Sequence, residues 1–166
     1  MAKVVLKLGD DISTDIIYPG RFLATVLPTE TPQYTFADNI EFNTKLTSSK
    51  IPEGSIVVGG DNFGCGSSRE QAASCLNGSN LVVVARHFAR IFLQNSINLG
   101  LQTVICPDIE ANEGDELEFA GDKVINKTSG KSFDVVPLPE TRQAIIDAGG
   151  LVPYTRKRLL REGKGS

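Results

Sequence analysis

The stretch DNFGCGSSRE, residues 61–70, follows the apolar run Ser55-Ile56-Val57-Val58-Gly59 without a linker. A helical stretch from about Arg69 to Leu76 and a second apolar run, Leu81 to Ala85, come next. This order predicts a strand–turn–helix–strand unit, and parallel pairing through a helical crossover is its natural geometry. Ser67 stands where an N-cap belongs, and Glu70 completes an S-x-x-E capping box. Capping accounts for those two residues alone. Gly64 and Gly66 permit positive φ and let a ligand approach the backbone, while the first amides of the helix point outward with the positive end of its dipole. With Ser67, Ser68 and Arg69 added, the turn becomes a receptacle for an anion. The planar fork of Arg69 favours a carboxylate over a phosphate. The Gly-Lys-Ser/Thr ending of a nucleotide P-loop and the three-glycine dinucleotide fingerprint are both absent. A purely structural turn is the competing reading.

Working outward, Lys3 to Leu8 reads as a first strand ended by Gly9-Asp10-Asp11, and Asp11 to Leu23, without a clean period, as an ordered loop. Pro28 to Lys50, rich in Thr, Ser, Pro and Asn, predicts a short helix inside a long connection that could move. Phe88, Ile91, Phe92 and Asn95 recur at helical spacing, predicting a helix from about Phe88 to Asn98 stopped by Gly100. A strand over Gln102 to Cys106 follows. Beyond Pro107, short strands at Glu116 to Ala120, Lys123 to Lys127 and Phe133 to Val136 suggest a small antiparallel layer. Pro139 to Ala148 reads as a further helix closed by Gly149-Gly150. The tail from Tyr154 to Arg161 is basic, and residues 163–166 are expected to fray. We expect one domain over residues 1–166, with a mobile loop and connection at about 20–50 and a frayed basic tail at about 155–166.

The chain has 166 residues, enough for one domain with a real core. A net charge of -3 gives no general pull toward nucleic acid or acidic membranes. The longest apolar runs are too short to span a bilayer and no signal peptide pattern opens the sequence, so a cytoplasmic location is the default expectation. Cys65, Cys75 and Cys106 form no C-x-x-C pair, which argues against a self-contained zinc or iron–sulfur site and predicts no metal on this chain. Cys75 and Cys106 read as small buried hydrophobes. Cys65, between Gly64 and Gly66, belongs to the loop itself. His87, the only histidine, reads as a solvated or capping residue.

The run Gly60-Asp61-Asn62-Phe63-Gly64-Cys65-Gly66-Ser67-Ser68-Arg69-Glu70-Gln71-Ala72 resembles the signature of the small swivelling domain of the aconitase superfamily, most closely that of the small subunits of the 3-isopropylmalate dehydratases and their homoaconitase relatives. Three further stretches agree, in the family's order: Gly9 to Ile17, Phe88-Ala89-Arg90-Ile91-Phe92 with Asn95 and Asn98, and Ala148 to Val152. The resemblance implies an α/β fold of the swivelling β/β/α kind, a mixed sheet with flanking helices. It also implies one half of a heteromeric hydro-lyase whose large subunit carries a [4Fe–4S] cluster, with no cofactor on this chain. The reaction so implied is dehydration and rehydration of a hydroxy diacid, which needs a base for a proton beside a carboxylate and cations to hold the carboxylates.

By the same resemblance Ser67 would be the base, acting as an alkoxide held by helix amides, Arg69 and the partner's cluster. Ser68 and Arg69 would bind a substrate carboxylate, and Gly64, Cys65 and Gly66 would supply loop backbone. Asp15 would be an orienting or proton-relay group, or simply a turn aspartate, and Arg21 a second carboxylate contact. Gln71 stands where many relatives have histidine. The family's specificity loop, aromatic-Leu-x-x-Thr, is here Phe22-Leu23-Ala24-Thr25-Val26, so its threonine is replaced. In relatives the first variable residue of that loop is arginine where a third carboxylate is taken and apolar where an alkyl group is taken. Leu23 and the uncharged Ala24 therefore point to an alkyl-substituted malate, isopropylmalate before 2,3-dimethylmalate or citramalate. A homoaconitase role and a stand-alone dicarboxylate-binding module are the alternatives. An RNA-binding role fits poorly with the net charge and the lack of a basic face with interleaved aromatics.

Overall fold

The computed structural model describes residues 2–164. Seven strands form one mixed sheet in the order β4-β3-β2-β1-β5-β6-β7. They are β1 (Ala2–Lys7), β2 (Ile56–Gly59), β3 (Val82–Ala85), β4 (Thr103–Ile105), β5 (Glu116–Ala120), β6 (Lys123–Asn126) and β7 (Ser132–Asp134). Strands β1 to β4 are parallel, with Val57 opposite Val83 and Val83 opposite Thr103. Strands β5 to β7 form the expected small antiparallel layer, and it joins the parallel strands through β1: Ala2 and Lys3 pair with Leu117 and Glu116 of β5. Strand patterning reveals that β5 exists and is silent about its neighbour, β1. Past β7, the Val136 amide donates to the Ile105 carbonyl at 2.8 Å, so the sheet curls until its two edges meet.

Curling gives the sheet an inner and an outer face, and strand alternation fills both. Val4, Ile56, Val58, Val84, Leu117, Val124 and Phe133 form the inner core. Leu6, Val57, Val83 and Ala85 lie in the outer one, beneath helices α3 (Glu70–Gly78) and α4 (Arg90–Leu99), which contribute Ala72, Ala73, Leu76 and Phe92. All four residues of β2 are buried, as expected for a parallel strand covered on both sides and read in the sequence as an unbroken apolar run.

The region expected to be an ordered loop contains α1 (Thr14–Ile17), capped by the Ser13 hydroxyl, and a 3-10 turn at Gly20–Phe22. One turn is too short to register as a hydrophobic period. The connection that follows holds a second 3-10 turn at Thr31–Tyr34 and the expected short helix, α2 (Ile40–Thr47). Helix α5 (Glu140–Asp147) packs against α4, and Gly100 ends α4 in the left-handed region at φ 84°. A Cβ there would lie 2.5 Å from the Gly149 carbonyl carbon, so Gly100 is also the point of contact between the two helix ends.

The basic tail, expected to fray over about 155–166, is instead a helix, α6 (Leu151–Lys164); residues 165–166 lie outside the described residues. Pro153 sits in its first turn, where the missing amide costs nothing, and the Arg158–Glu162 pair at 3.2 Å spans one turn. Leu, Arg and Lys have high helix propensity, and the exposed polar composition had masked it.

Candidate active site

The 61–70 loop is stitched to its surroundings by backbone hydrogen bonds on both sides. Gly60 donates to the Gly9 carbonyl (3.0 Å), Gly64 to Ile12 (2.7 Å), and Thr14 to Cys65 (2.8 Å), which lays the loop alongside the segment after β1. On the other side Phe63 donates to the His87 carbonyl (3.0 Å) and Ala89 to Phe63 (2.9 Å). The side chain of Asp10 accepts from the Asp61 amide at 2.7 Å. Phe63 is fully buried, edge-on to Phe88 and Phe92 at 5.9 and 5.5 Å. Gly64, at φ 86°, lies so close to Phe92 that any Cβ would run into the ring. The glycine permits both the turn and the close approach of α4 to the loop.

Ser67 does not cap α3. The N-cap is Arg69, and no side chain accepts from the first amides of the helix. The expected capping box fails because α3 begins at Glu70, two residues later than the S-x-x-E pattern places it; the Ser67 hydroxyl lies instead 3.1 Å from the hydroxyl of Thr14, which also donates to the Ser67 carbonyl at 3.2 Å. Thr14 is buried and Ser67 is exposed. The result is a serine oriented from below by a buried hydroxyl, at the open end of an uncapped helix N-terminus. Ser68 is exposed beside it, and its carbonyl accepts from the Asn95 amide group of α4 at 3.4 Å.

Arg69 turns the other way. Its Nη1 donates to Asp15 Oδ1 and to the Tyr18 carbonyl, each at 2.8 Å, and Asp15 Oδ1 also accepts from the Gly20 amide at 2.8 Å. The pair is unequal, with the arginine side chain 14% exposed and the aspartate 65%. The hydrogen bond from Arg69, then that from Gly20, holds the Asp15 carboxyl below its ordinary pKa. Asp15 thus orients Arg69; it makes no hydrogen bond to Ser67 among the described residues. Arg69 Nε is buried without a hydrogen-bond partner, and Nη2 makes none among the described residues either. The Nε–Nη2 edge is a two-donor fork without a partner among the described residues, with Nε shielded from solvent.

Other expected site residues lie farther out. Arg21 is paired with Asp38 at 2.6 Å and stacks on the Phe22 ring at 4.6 Å, so its charge is already engaged. Leu23 and Ala24 are exposed on a loop tied down at three points: the Tyr18 hydroxyl donates to the Phe22 and Thr25 carbonyls (2.9 and 3.3 Å), and Gln71 donates to the Leu23 carbonyl at 3.2 Å. Gln71 therefore fastens the loop to α3. Beside the 61–70 loop lies a cavity of about 840 Å³ whose lining includes Ser67, Arg90, Asn95 and Arg142; Arg69 is not part of it.

Sequence reasoning misses Thr14 as the support of Ser67 and Arg142 as a neighbour. Both are remote in sequence and carry no local signal. His87 is solvated, as expected, and lies 2.6 Å from Asp61; it is not a cap, since Ala89 holds that position in α4. Cys75 and Cys106 lie in the outer and inner cores, on opposite faces of the sheet, and burial pushes their thiols up to about 12 and about 11. They cannot converge with Cys65, and no group of three metal-ligating side chains occurs among the described residues. The residues of this chain do not fit an iron–sulfur cluster.

A curled mixed sheet with α3 and α4 on its outer face, and a glycine–serine–arginine loop between β2 and α3, defines an aconitase-type swivelling domain. The family model for the aconitase C-terminal domain matches residues 10–108. The chain is 43% identical to the 3-isopropylmalate dehydratase small subunit of Methanosarcina mazei, over 91% of this chain and 93% of that one. It is 42% identical to the 2,3-dimethylmalate dehydratase small subunit of Eubacterium barkeri, over 90% and 93%. The crystal structure of a 3-isopropylmalate dehydratase from Methanocaldococcus jannaschii superposes with a TM-score of 0.87 at 35% identity, covering 99% of this chain and 98% of that one. The chain belongs to the aconitase C-terminal domain family, in its branch of 3-isopropylmalate dehydratase small subunits.

Proposed function

We propose that this chain is the small subunit of a hydro-lyase that isomerises 3-isopropylmalate, active only when a large subunit closes over the loop at residues 61–70. The observation that carries the reading is Arg69: Nη1 is locked by Asp15 and the Tyr18 carbonyl, while the Nε–Nη2 edge has no partner. An unsatisfied buried donor calls for a counterpart, and a substrate carboxylate supplies two acceptors at the right spacing.

Ser67 acts as the base that takes the proton beside a carboxylate. Its support by Thr14 and its release from capping keep the hydroxyl oriented and reachable. The uncapped amides of α3 favour the anion formed when Ser67 gives up its proton. Ser68 hydrogen-bonds the carboxylate held by Arg69. The cluster expected in this family belongs to the large subunit. Exposed Ile16, Leu23, Val26 and Leu27 flank the loop and give a large partner an apolar surface to cover.

Ala24 selects the substrate. It is small and uncharged, so a third carboxylate beside it would be desolvated without a counter-charge, whereas an alkyl group gains about 0.8 kcal/mol per buried methylene. The relatives named above include both an isopropylmalate and a dimethylmalate enzyme at nearly equal identity, so overall similarity does not choose between them. An anaerobic panel of diacids with the cognate large subunit makes the choice. Isopropylmalate should give the highest kcat/KM. A complex that prefers homoaconitate or aconitate to every alkylmalate would overturn the reading of Ala24 and turn attention to Arg21.

A further inference from the structure

The Thr14 side chain is buried, and among the described residues its hydroxyl meets only Ser67: the carbonyl at 3.2 Å and the hydroxyl at 3.1 Å. A hydroxyl has one proton to donate, so these two contacts cannot both be its donations at once. While Ser67 is protonated, its hydroxyl donates to Thr14 and Thr14 donates to the carbonyl, and both contacts are satisfied. Once Ser67 Oγ is an anion it can only accept, and the Thr14 proton then has a charged acceptor 3.1 Å away as the alternative to a neutral one at 3.2 Å. Hydrogen bonds to an ionised acceptor are about twice as strong as neutral ones. The rest of Thr14 is held: its amide donates to the Cys65 carbonyl at 2.8 Å, and its β-branched side chain is stiff at χ1, so turning the O–H bond is the one motion required.

We infer that Thr14 is a positioning residue that stabilises the Ser67 anion by turning its hydroxyl proton from the Ser67 carbonyl to Ser67 Oγ. The inference rests on the proposed role of Ser67 as the base. In dehydration Ser67 Oγ takes the proton beside the carboxylate: an O–H bond forms, the C–H bond breaks, and its electron pair becomes the double bond as the hydroxyl leaves the neighbouring carbon with its own pair. The Thr14 proton then returns to the carbonyl. Rehydration with the two carbons exchanged runs the steps in reverse, so Ser67 and Thr14 finish as they began.

The test uses the complex reconstituted anaerobically with its large subunit, with 3-isopropylmalate as substrate. Thr14→Val, which keeps the shape and loses the hydroxyl, should lower kcat about tenfold to a hundredfold, the worth of a hydrogen bond to a charged group, with KM near the wild-type value. Thr14→Ser, which keeps the hydroxyl and loses a buried methyl, should retain most of kcat although it melts lower. A packing role for Thr14 predicts the reverse order. A hydroxyl that only ties down the Ser67 carbonyl would let Ser68 and Arg69 shift with it and raise KM as well. With substrate deuterated at the carbon whose proton Ser67 removes, turnover by Thr14→Val should show an isotope effect at least as large as the wild type's, because proton removal is the step slowed. If Thr14→Val loses its cooperative melt, Thr14→Ala against Thr14→Ser carries the same comparison, since that pair differs by the hydroxyl alone. Ser67→Ala runs alongside: its turnover should be lost, and survival would overturn the site reading beneath this inference. A dead Ser67→Ala together with wild-type kcat in Thr14→Val, or with equal losses in Thr14→Val and Thr14→Ser, would overturn the inference alone.

Discussion

Ser67 and Arg69 are two residues apart and face different ways, and that divergence governs what substitution at each should do. Ser67 bonds Thr14 and caps nothing, so Ser67→Ala should cost about 0.5–1.5 kcal/mol, the worth of one hydrogen bond, measurable by urea unfolding. Arg69→Lys loses the planar fork and the Tyr18 and Asp15 contacts at once. It should reduce kcat/KM by roughly tenfold to a hundredfold, because hydrogen bonds to a charged group are worth about 1.5–3 kcal/mol. Ala24→Arg should lower kcat/KM for isopropylmalate and raise it for homoaconitate in the same complex. The pH dependence follows from Asp15, whose folded pKa lies below its ordinary 3.8. Its contribution is present above the unfolded value and is lost as pH falls through the folded one. Melting curves should therefore separate wild type from Asp15→Asn at pH 7, still separate them at the ordinary carboxyl value of 3.8, and bring them together only once the pH has fallen past the lowered folded value. An Asn variant that melts with wild type at every pH would show that Asp15 holds nothing. Gly64, Ser67, Ser68 and Arg69 stood out in the sequence as a candidate site because small, flexible and cationic residues crowd one turn. Thr14 was not, since its contact spans 53 residues and a buried threonine looks like any other.

At the scale of elements, the loop is held by its neighbours more than by its own sequence. Gly64→Ala tests this: a Cβ at φ 86° would strike the Phe92 ring, and α4 would have to retreat from the loop. It should destabilise the chain by about 2–4 kcal/mol, from backbone strain and overpacking together, with a lowered melting temperature as the readout. A variant that melts within a degree of wild type would show that α4 does not fix the loop. Strands β1 to β6 and helices α3 to α5 were legible to within one or two residues, because each carries a clear apolar period or run. Helix α1 was missed because one turn has no period. The Ser67 cap was misplaced because an S-x-x-E pattern does not fix where the helix begins, here at Glu70 with Arg69 as the N-cap. In α6 propensity prevailed over an apolar pattern too weak to announce a helix.

For the whole molecule, the curl of the sheet sets the layout. It encloses one core, leaves the other face to α3 and α4, and brings the turns after β1, β2 and β3 together, where the 61–70 loop is sewn in on both sides. The meeting of β4 with the segment after β7 was invisible in the sequence, because a single bridge between Ile105 and Val136 leaves no pattern. Exposed apolar side chains around the loop are what a closing partner requires. The central claim is that this chain supplies the base and one carboxylate clamp to a two-subunit hydro-lyase. The most direct measurement is the isomerisation rate of 3-isopropylmalate by the anaerobically reconstituted complex, with wild type and with Ser67→Ala, after confirming that both bind the large subunit with the same affinity. We predict rapid turnover for wild type and a loss of at least about a thousandfold in kcat for Ser67→Ala, on the order expected when a proton-transfer group is removed. Near-wild-type kcat in the Ser67→Ala complex would contradict it.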